Sequence, residues 1–490
     1  MKGAPFSRLP GGFDFSAVLA AAIFTALSGV AREERSVTPA GIADAIQLEL
    51  YYDDHVSANF IDVSVDDGVA TLEGTTSNLL AKERAVRVAE EVKGVREVVD
   101  KLEVDPPDDL PPPPEELEER LKANLEASAV TEAEEVEVEA EEDGSVVLSG
   151  KVQSHAEKDF ARRLARELSG VTSVQNEITV AGEDVDRKDD EIEADIGGQL
   201  RWNTLVDDAM IEVDVTNGAA LLSGTVGSAA EKRRAREIAS GTAGVKRVDA
   251  SDLEVRKWER DPELRGDKYR PEAEEDIEQA LEEALHYKVV GVVPEIRAEV
   301  EDGRATLQGV VRTVAAKRAA EEVAWKTVGV RSVRNFIKVR NDEERGLDDD
   351  ALEQILENAF DWNPLFEASG IRVRVVDGTA YLNGEVGSRT LKLQAEEVAS
   401  RRRGITEVVN NLNVPDGTEA VVYSDTELRE NVEDRFFWSP FIDGEDISVS
   451  VDDEVVTLSG KVDTDREERL AVQSALEAGA DGVRNRLERP

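Results

Sequence analysis

Cysteine is absent from the 490-residue chain, which excludes disulfides, thiolate zinc sites and cysteine nucleophiles. The three histidines, His55, His155 and His286, form no H-E-x-x-H or paired spacing, so no metal centre is expected. Aspartate-rich stretches such as "LDDDALE" do not carry the spaced Asp/Asn and terminal Glu of a calcium loop. A P-loop, a dinucleotide fingerprint and a G-x-S-x-G elbow are also missing, and with them any basis for assigning a catalytic residue, a cofactor or an enzymatic activity. Aromatic residues make up 5% of the chain and methionine occurs twice, which points to small cores of Val, Ile, Leu and Ala. Positive charge is scarce. Against 106 acidic residues stand 59 basic ones, for a net charge of −47, a field that repels nucleic-acid phosphates and rules nucleic acid out as the expected partner.

The one extended apolar run is "FSAVLAAAIFTALSGVA" at residues 15–31, preceded by Lys2 and Arg8 and closing on small residues. Residues 1–31 read as a signal peptide or an N-terminal anchor, and export to the periplasm or cell envelope follows from the first reading. The alternative is a cytoplasmic protein in a salt-rich cell: acids dominate and arginine outnumbers lysine about two to one, a balance that suits halophilic or osmotic conditions because salt screens like-charge repulsion.

What the chain does contain is one unit, repeated. Glycines closing an "L-x-G" motif stand at Gly74, Gly150, Gly224, Gly309, Gly384 and Gly460, at near-even intervals of which the longest falls between the third and the fourth. Before each, a strand such as "IRVRV" alternates apolar and polar residues, so Ile371, Val373 and Val375 share the core face. Asp-Gly or Asn-Gly then marks a tight hairpin in five copies, and Asp453-Glu454 takes its place in the sixth. After the returning strand comes a helix in which two alanines recur one turn apart, in the same phase to the glycine in all six copies, from Ala85 and Ala89 to Ala471 and Ala475. This pair of small residues lets the helix approach the sheet closely. A second glycine follows at one fixed spacing in five copies, at Gly94, Gly170, Gly244, Gly329 and Gly404, and slightly later in the sixth, at Gly482. It is expected to end that helix as a left-handed C-cap, ahead of a third strand with "NxIxV" or "NxLxV". A helix with an acidic start, such as "DDDALEQILENAF", opens the unit and suits the helix dipole.

The fold expected is α+β: six tandem two-layer α-β-β-α-β domains, each a three-stranded sheet with two helices on one face. The domains span residues 40–104, 115–180, 189–255, 272–339, 348–414 and 425–489, with a stiff "DPPDDLPPPP" spacer after the first and a longer join after the third. Stacked repeats and independent beads both fit the short joins.

The pattern "I-x-V-x-V-x-(D/N)-G-x-x-x-L-x-G", an alanine-bearing helix and then "G-V-x-x-V" resembles the BON domain, named for bacterial osmotic-shock and nodulation proteins. The resemblance implies an envelope-associated, non-enzymatic module that binds phospholipid or attaches proteins to membranes. In the second copy "EVEVEAEEDG" has an extra residue and a row of glutamates, an adverse surface for anionic lipid.

Two sets of residues are candidates for a surface function. Lys232, Arg233, Arg234, Arg236, Lys246 and Arg247 in copy three, and Arg389, Lys392, Arg401, Arg402 and Arg403 in copy five, form the strongest basic runs. They could hold anionic headgroups, an acidic envelope protein or a neighbouring repeat, or form solvated helix faces paired with glutamate. Tyr52, Trp202, Tyr287, Trp362 and Trp438 stand at one shared offset before their L-x-G glycines, at the end of the first helix. There a ring would plug the open end of its small core, the alternative being contact with lipid or another repeat. Two functions follow: a phospholipid-associating envelope protein linked to osmotic stress, or an acidic scaffold whose repeats bind each other or protein partners without lipid.

Overall fold

Alternating strands joined by Asp-Gly fold as antiparallel ribbons in the computed structural model. It describes residues 37–53, 56, 58–105, 112–128, 136–152, 155–180, 187–256, 268, 273–288, 292–340, 347–366, 369–415, 424–462 and 464–488. The apolar segment 1–31 and the three histidine side chains lie outside the described residues. In repeat one, Ile61–Asp66 pairs with Val69–Thr76, placing Val63 opposite Leu72 and Val65 opposite Ala70. The second helix, Leu79–Glu90, then crosses over the sheet, so the third strand, Glu97–Val104, returns parallel to the central Val69–Thr76 strand. The other five repeats repeat this order behind first helices such as Asp189–Trp202 and Asp349–Asp361. Six separate apolar cores result, one per repeat. Among the described residues, no helix is long and apolar enough to cross a membrane.

The turn chemistry explains the repeated motifs. In five repeats both hairpin residues take positive φ, as at Asp67 (46°) and Gly68 (79°), the geometry of a type I′ turn, whereas in repeat two only Gly144 (81°) does. The L-x-G glycine is required by the backbone facing it, not by the following helix, which the sequence equally allows. At Gly74 φ is 134°, and a Cβ there would collide with the carbonyl oxygen of Phe60, just before the first strand. The same carbonyl position closes on Gly224, Gly384 and Gly460.

The second glycine also differs from the expected C-cap. Helix Leu79–Glu90 ends at a right-handed residue, Glu91, and Gly94 lies beyond it at φ 95°, where a Cβ would strike Ile42 of the first helix. It lets the two helices close over one core. In the last repeat Gly479, at φ 109°, has the positive φ, whereas Gly482 begins the third strand. The second helices of repeats one, three, four, five and six are capped by a side chain at a shared place after the L-x-G glycine: Asn78, Ser228, Thr313, Ser388 or Thr464.

Two polar devices tie the layers together. The first-turn acids do more than face the helix dipole: Asp189 accepts the amides of Asn217 (2.8 Å) and Gly218 (2.9 Å), and Asp349 does the same for Asp377 and Gly378. The asparagine of the third strand accepts the amide two residues on and donates to the second helix, as Asn410 does to the Lys392 carbonyl at 2.7 Å. The strand is interrupted behind Asn176 and Asn335, and behind Asp249 in repeat three.

Glu454 holds φ 61° where five other repeats have glycine. A side chain in this region is strained, so Glu454→Gly is expected to stabilise the sixth repeat by about 0.5–1 kcal/mol after the added chain entropy of glycine is offset. A rise in the thermal midpoint of the full chain by calorimetry checks this; an unchanged or lower midpoint contradicts it.

Candidate inter-repeat interface and central cavity

The first helix of each repeat runs out at its C-terminal end, where the chain must turn toward the first strand and leaves backbone groups unpaired. In repeats two, three, five and six such groups are satisfied by another repeat. The Trp202 carbonyl of repeat three accepts the Val328 amide of repeat four at 3.0 Å, the Thr204 amide reaches the Lys326 carbonyl at 2.9 Å, and Asn203 bridges Thr327 between them. Trp362 of repeat five accepts from Ser169 of repeat two at 2.7 Å, while Ala127 of repeat two accepts from Arg403 of repeat five at 3.2 Å. Trp438 of repeat six accepts from Lys93 of repeat one at 2.7 Å. Repeats therefore join three with four, two with five and one with six.

The rings follow their carbonyls, which corrects the expected plug. Trp202 packs against the core of repeat four, Trp362 against that of repeat two and Trp438 against that of repeat one. Each covers its partner's core rather than its own. The side chains of Tyr52 and Tyr287 lie outside the described residues. The amphipathic end of a helix could be found by sequence, but which core it covers is a long-range matter.

The basic residues are mostly turned inward. Arg233 pairs with Glu90 (2.6 Å) and Glu91 of repeat one as well as with Glu237 of its own helix. Arg234 pairs with Glu237. Arg401 joins Glu397 to Glu167 of repeat two. Burial alone would lower its pKa, but Glu167 and then Glu397 outweigh that and hold it above the ordinary arginine value. Arg402 is buried, with its Nη1 donating to the Asn124 carbonyl of repeat two at 3.4 Å, and burial pushes its guanidinium down to about 10. The Arg403 amide makes the interface bond already described. Lys232 and Lys392 are half-buried and Arg247 is exposed, outside the contacts that join repeats. Lys246 places its stem beside the Gly218 turn. The Arg389 side chain lies outside the described residues.

Further arginines that the sequence runs did not single out complete these joints. Arg166 of repeat two pairs with Glu83 of repeat one at 2.9 Å, Arg435 of repeat six with Glu49 of repeat one at 3.3 Å, and Arg318 of repeat four with Glu396 of repeat five. Arg469 of repeat six stacks on Trp325 of repeat four, 4.2 Å from the ring centre. Second helices and their neighbours from five repeats surround a cavity of about 1060 Å³. Its wall holds Arg233, Arg234 and Arg236 from repeat three and Arg401 from repeat five, so the two basic runs contribute to one space. No group of His, Cys, Asp or Glu that could hold a metal ion occurs among the described residues.

The two neighbouring arginines of repeat five should separate. Arg401→Met strips the partner from the largely buried Glu167 and is expected to cost about 2–3 kcal/mol, whereas Arg402→Met removes a buried charge without an acid partner and should be neutral or stabilising. Calorimetric melting of both variants checks this, and equal losses would contradict it. Acidity gives a second test. Glu49, Glu83 and Glu90 lie above the ordinary glutamate range because burial outweighs the arginines facing them. The folded chain thus binds their protons more tightly than the unfolded chain, and stability increases as pH falls toward those raised values. Asp189 behaves oppositely: the amides of Gly218 and Asn217 hold it below the usual aspartate range, so its contribution is lost as pH drops through its folded value. The melting temperature is expected to rise from about pH 8 to about pH 5.5 and to fall by about pH 3; a steady decline from pH 8 would contradict this.

The repeat geometry agrees with comparisons to known proteins. The family model "BON domain" matches residues 39–106, 115–182, 188–257, 273–341, 348–416 and 424–489. The chain is 33% identical over 151 residues to Osmotically-inducible protein Y of Escherichia coli (strain K12), a match covering 28% of this chain and 70% of that protein. Among solved structures, CdsD, a structural protein of the Type III secretion system of Chlamydia trachomatis, shows 17% identity over 43% of this chain and 91% of its own, with a TM-score of 0.12. The C-terminal domain of CdsD gives 18% identity over 40% of this chain and 89% of its own, also with a TM-score of 0.12. With six matches spanning most of its length, this chain belongs to the BON domain family.

Proposed function

We propose that the protein is a non-enzymatic scaffold of the cell envelope, linked to osmotic stress, whose six BON repeats bind one another and present an acidic outer surface to protein partners. The observation that carries this reading is the pairing of repeats across the two halves of the chain: each aromatic helix end with described contacts seals a core in the opposite half. Arginines that a lipid-binding surface would need are engaged between repeats, as at Arg233–Glu90 and Arg401–Glu167. Membership of the BON family and the likeness to Osmotically-inducible protein Y support the stress and envelope setting. With a net charge of −47, the protein would remain soluble under osmotic load, and salt would ease its self-repulsion.

Phospholipid association is the second reading, favoured by Phe60, Phe336 and Leu393, which are 67, 61 and 61% exposed. A protease site inserted in the join at 257–267 tests the scaffold. After cleavage the two halves are expected to co-elute on size exclusion in physiological salt, and separation into two species would overturn the reading. Sedimentation with phosphatidylglycerol vesicles tests the second: the scaffold reading expects the protein in the supernatant, and pelleting abolished by Phe60→Ser and Phe336→Ser would favour lipid instead.

A further inference from the structure

The central cavity is out of character with the rest of the molecule. Its wall carries ten arginines and lysines against eight acids, in a chain where acids outnumber bases by 106 to 59. The side chains of three of those arginines, Arg87, Arg163 and Arg236, form no ion pair or hydrogen bond among the described residues. Arg163 lies over a ring instead, that of Phe160 at 5.6 Å. They come from the second helices of repeats one, two and three, with Arg87 and Arg163 at the same position of the repeated unit. Crowding compounds the burial: desolvation, then Arg84 and Arg233, lower the pKa of Arg87 despite Glu83 and Glu91 nearby, and desolvation, then Arg401, lower that of Arg163 despite Glu167, Asp159 and Glu397, so the acids around them do not fully offset the burial. Like charges brought together in a partly desolvated space are costly unless a counter-charge joins them.

We propose that this cavity binds a multivalent oxyanion of the phosphate class, held by Arg87, Arg163 and Arg236 where the second helices of repeats one, two and three converge. Guanidinium groups present paired donors that match phosphate oxygens, which lysine heads do not. The volume of about 1060 Å³ accommodates an oligophosphate with its water. The surrounding ion pairs, Arg166–Glu83 and Arg233–Glu90, are already satisfied and fix the wall. The acidic exterior would repel loosely bound anions, so occupancy depends on several arginines acting together. This inference goes beyond the scaffold reading and stands without it, since it concerns a soluble probe and needs neither envelope nor partner.

The test is titration calorimetry of the full chain with tripolyphosphate at constant ionic strength. One saturable site is expected, not reproduced by chloride at matched ionic strength. The variant Arg87→Gln/Arg163→Gln/Arg236→Gln should weaken binding by at least about tenfold, while Lys246→Gln/Arg247→Gln, away from the cavity, should leave it unchanged. Because none of the three side chains makes an ion pair and only Arg163 has a ring contact, the triple variant is expected to melt close to the parent. Should it not, Arg236→Gln alone, at an exposed rim position, must still weaken binding measurably. Absence of saturable binding, or full affinity in a folded triple variant, overturns the proposal. Adding phosphatidylglycerol vesicles identifies the source of the anion: displacement of tripolyphosphate assigns the site to a lipid headgroup, and persistence assigns it to a soluble phosphate compound.

Discussion

Two methyl groups one helical turn apart set the spacing between helix and sheet in every repeat. All twelve alanines of the second helices, Ala85 and Ala89 through Ala471 and Ala475, are 0% exposed. A larger side chain at either position would lift the helix from the central strand and open a gap along the line of Leu72, Leu148 and their counterparts, which are also fully buried. The other recurrent residues serve the same closeness. Glycine at the L-x-G position lets the first strand's carbonyl in, and glycine after the helix lets Ile42, Ile192, Ile277 or Leu352 of the first helix approach.

So tight a unit is also a small one. About 65 residues bury only a modest core, and a domain of that size is close to the limit for standing alone. The unit leaves one end uncovered, and in repeats three, five and six the tryptophan there reaches beyond its own repeat to close another. Stability is then shared: a Trp ring at each of the three junctions, a short antiparallel bridge at the three–four and two–five junctions, and an arginine pair at the two–five and one–six junctions add to cores that are individually slight. The charge distribution follows from the same economy of space. Arginine, with its planar head and long apolar stem, fits between helices of different repeats, while much of the acidic majority remains outside.

The fold was largely legible because each layer of signal agreed. Strand alternation, Asp-Gly turns, paired alanines and fixed glycine spacing all give the same α-β-β-α-β order, and the physics behind them is local. Reasons were harder to read than positions. That Gly74 answers to the Phe60 carbonyl, and that Asp189 caps the Gly218 turn, depends on contacts formed only when the unit closes. The candidate interface was legible in its residue types but not in its geometry. "EKRRAREIAS" announces a basic helix, yet nothing nearby says that Arg233 meets Glu90 in a repeat far away in sequence. Arg87 and Arg163 carry no such mark in the sequence, since each stands in a helix of mixed charge and gains significance from the neighbours that folding brings. The sole signal was their identical place in two copies.

The nested order of the junctions bears on how the chain is made. During synthesis repeat three meets its mate as soon as the fourth is complete, repeat two must wait for the fifth, and repeat one for the sixth. Closing a longer loop costs little more, about 0.6 kcal/mol for each doubling of length, so the delay is one of time rather than of free energy. Until the ribosome has released Trp438, the core around Ile42 and Leu50 remains without its outer cover, and the newborn first repeat is the member most in need of shelter by a chaperone.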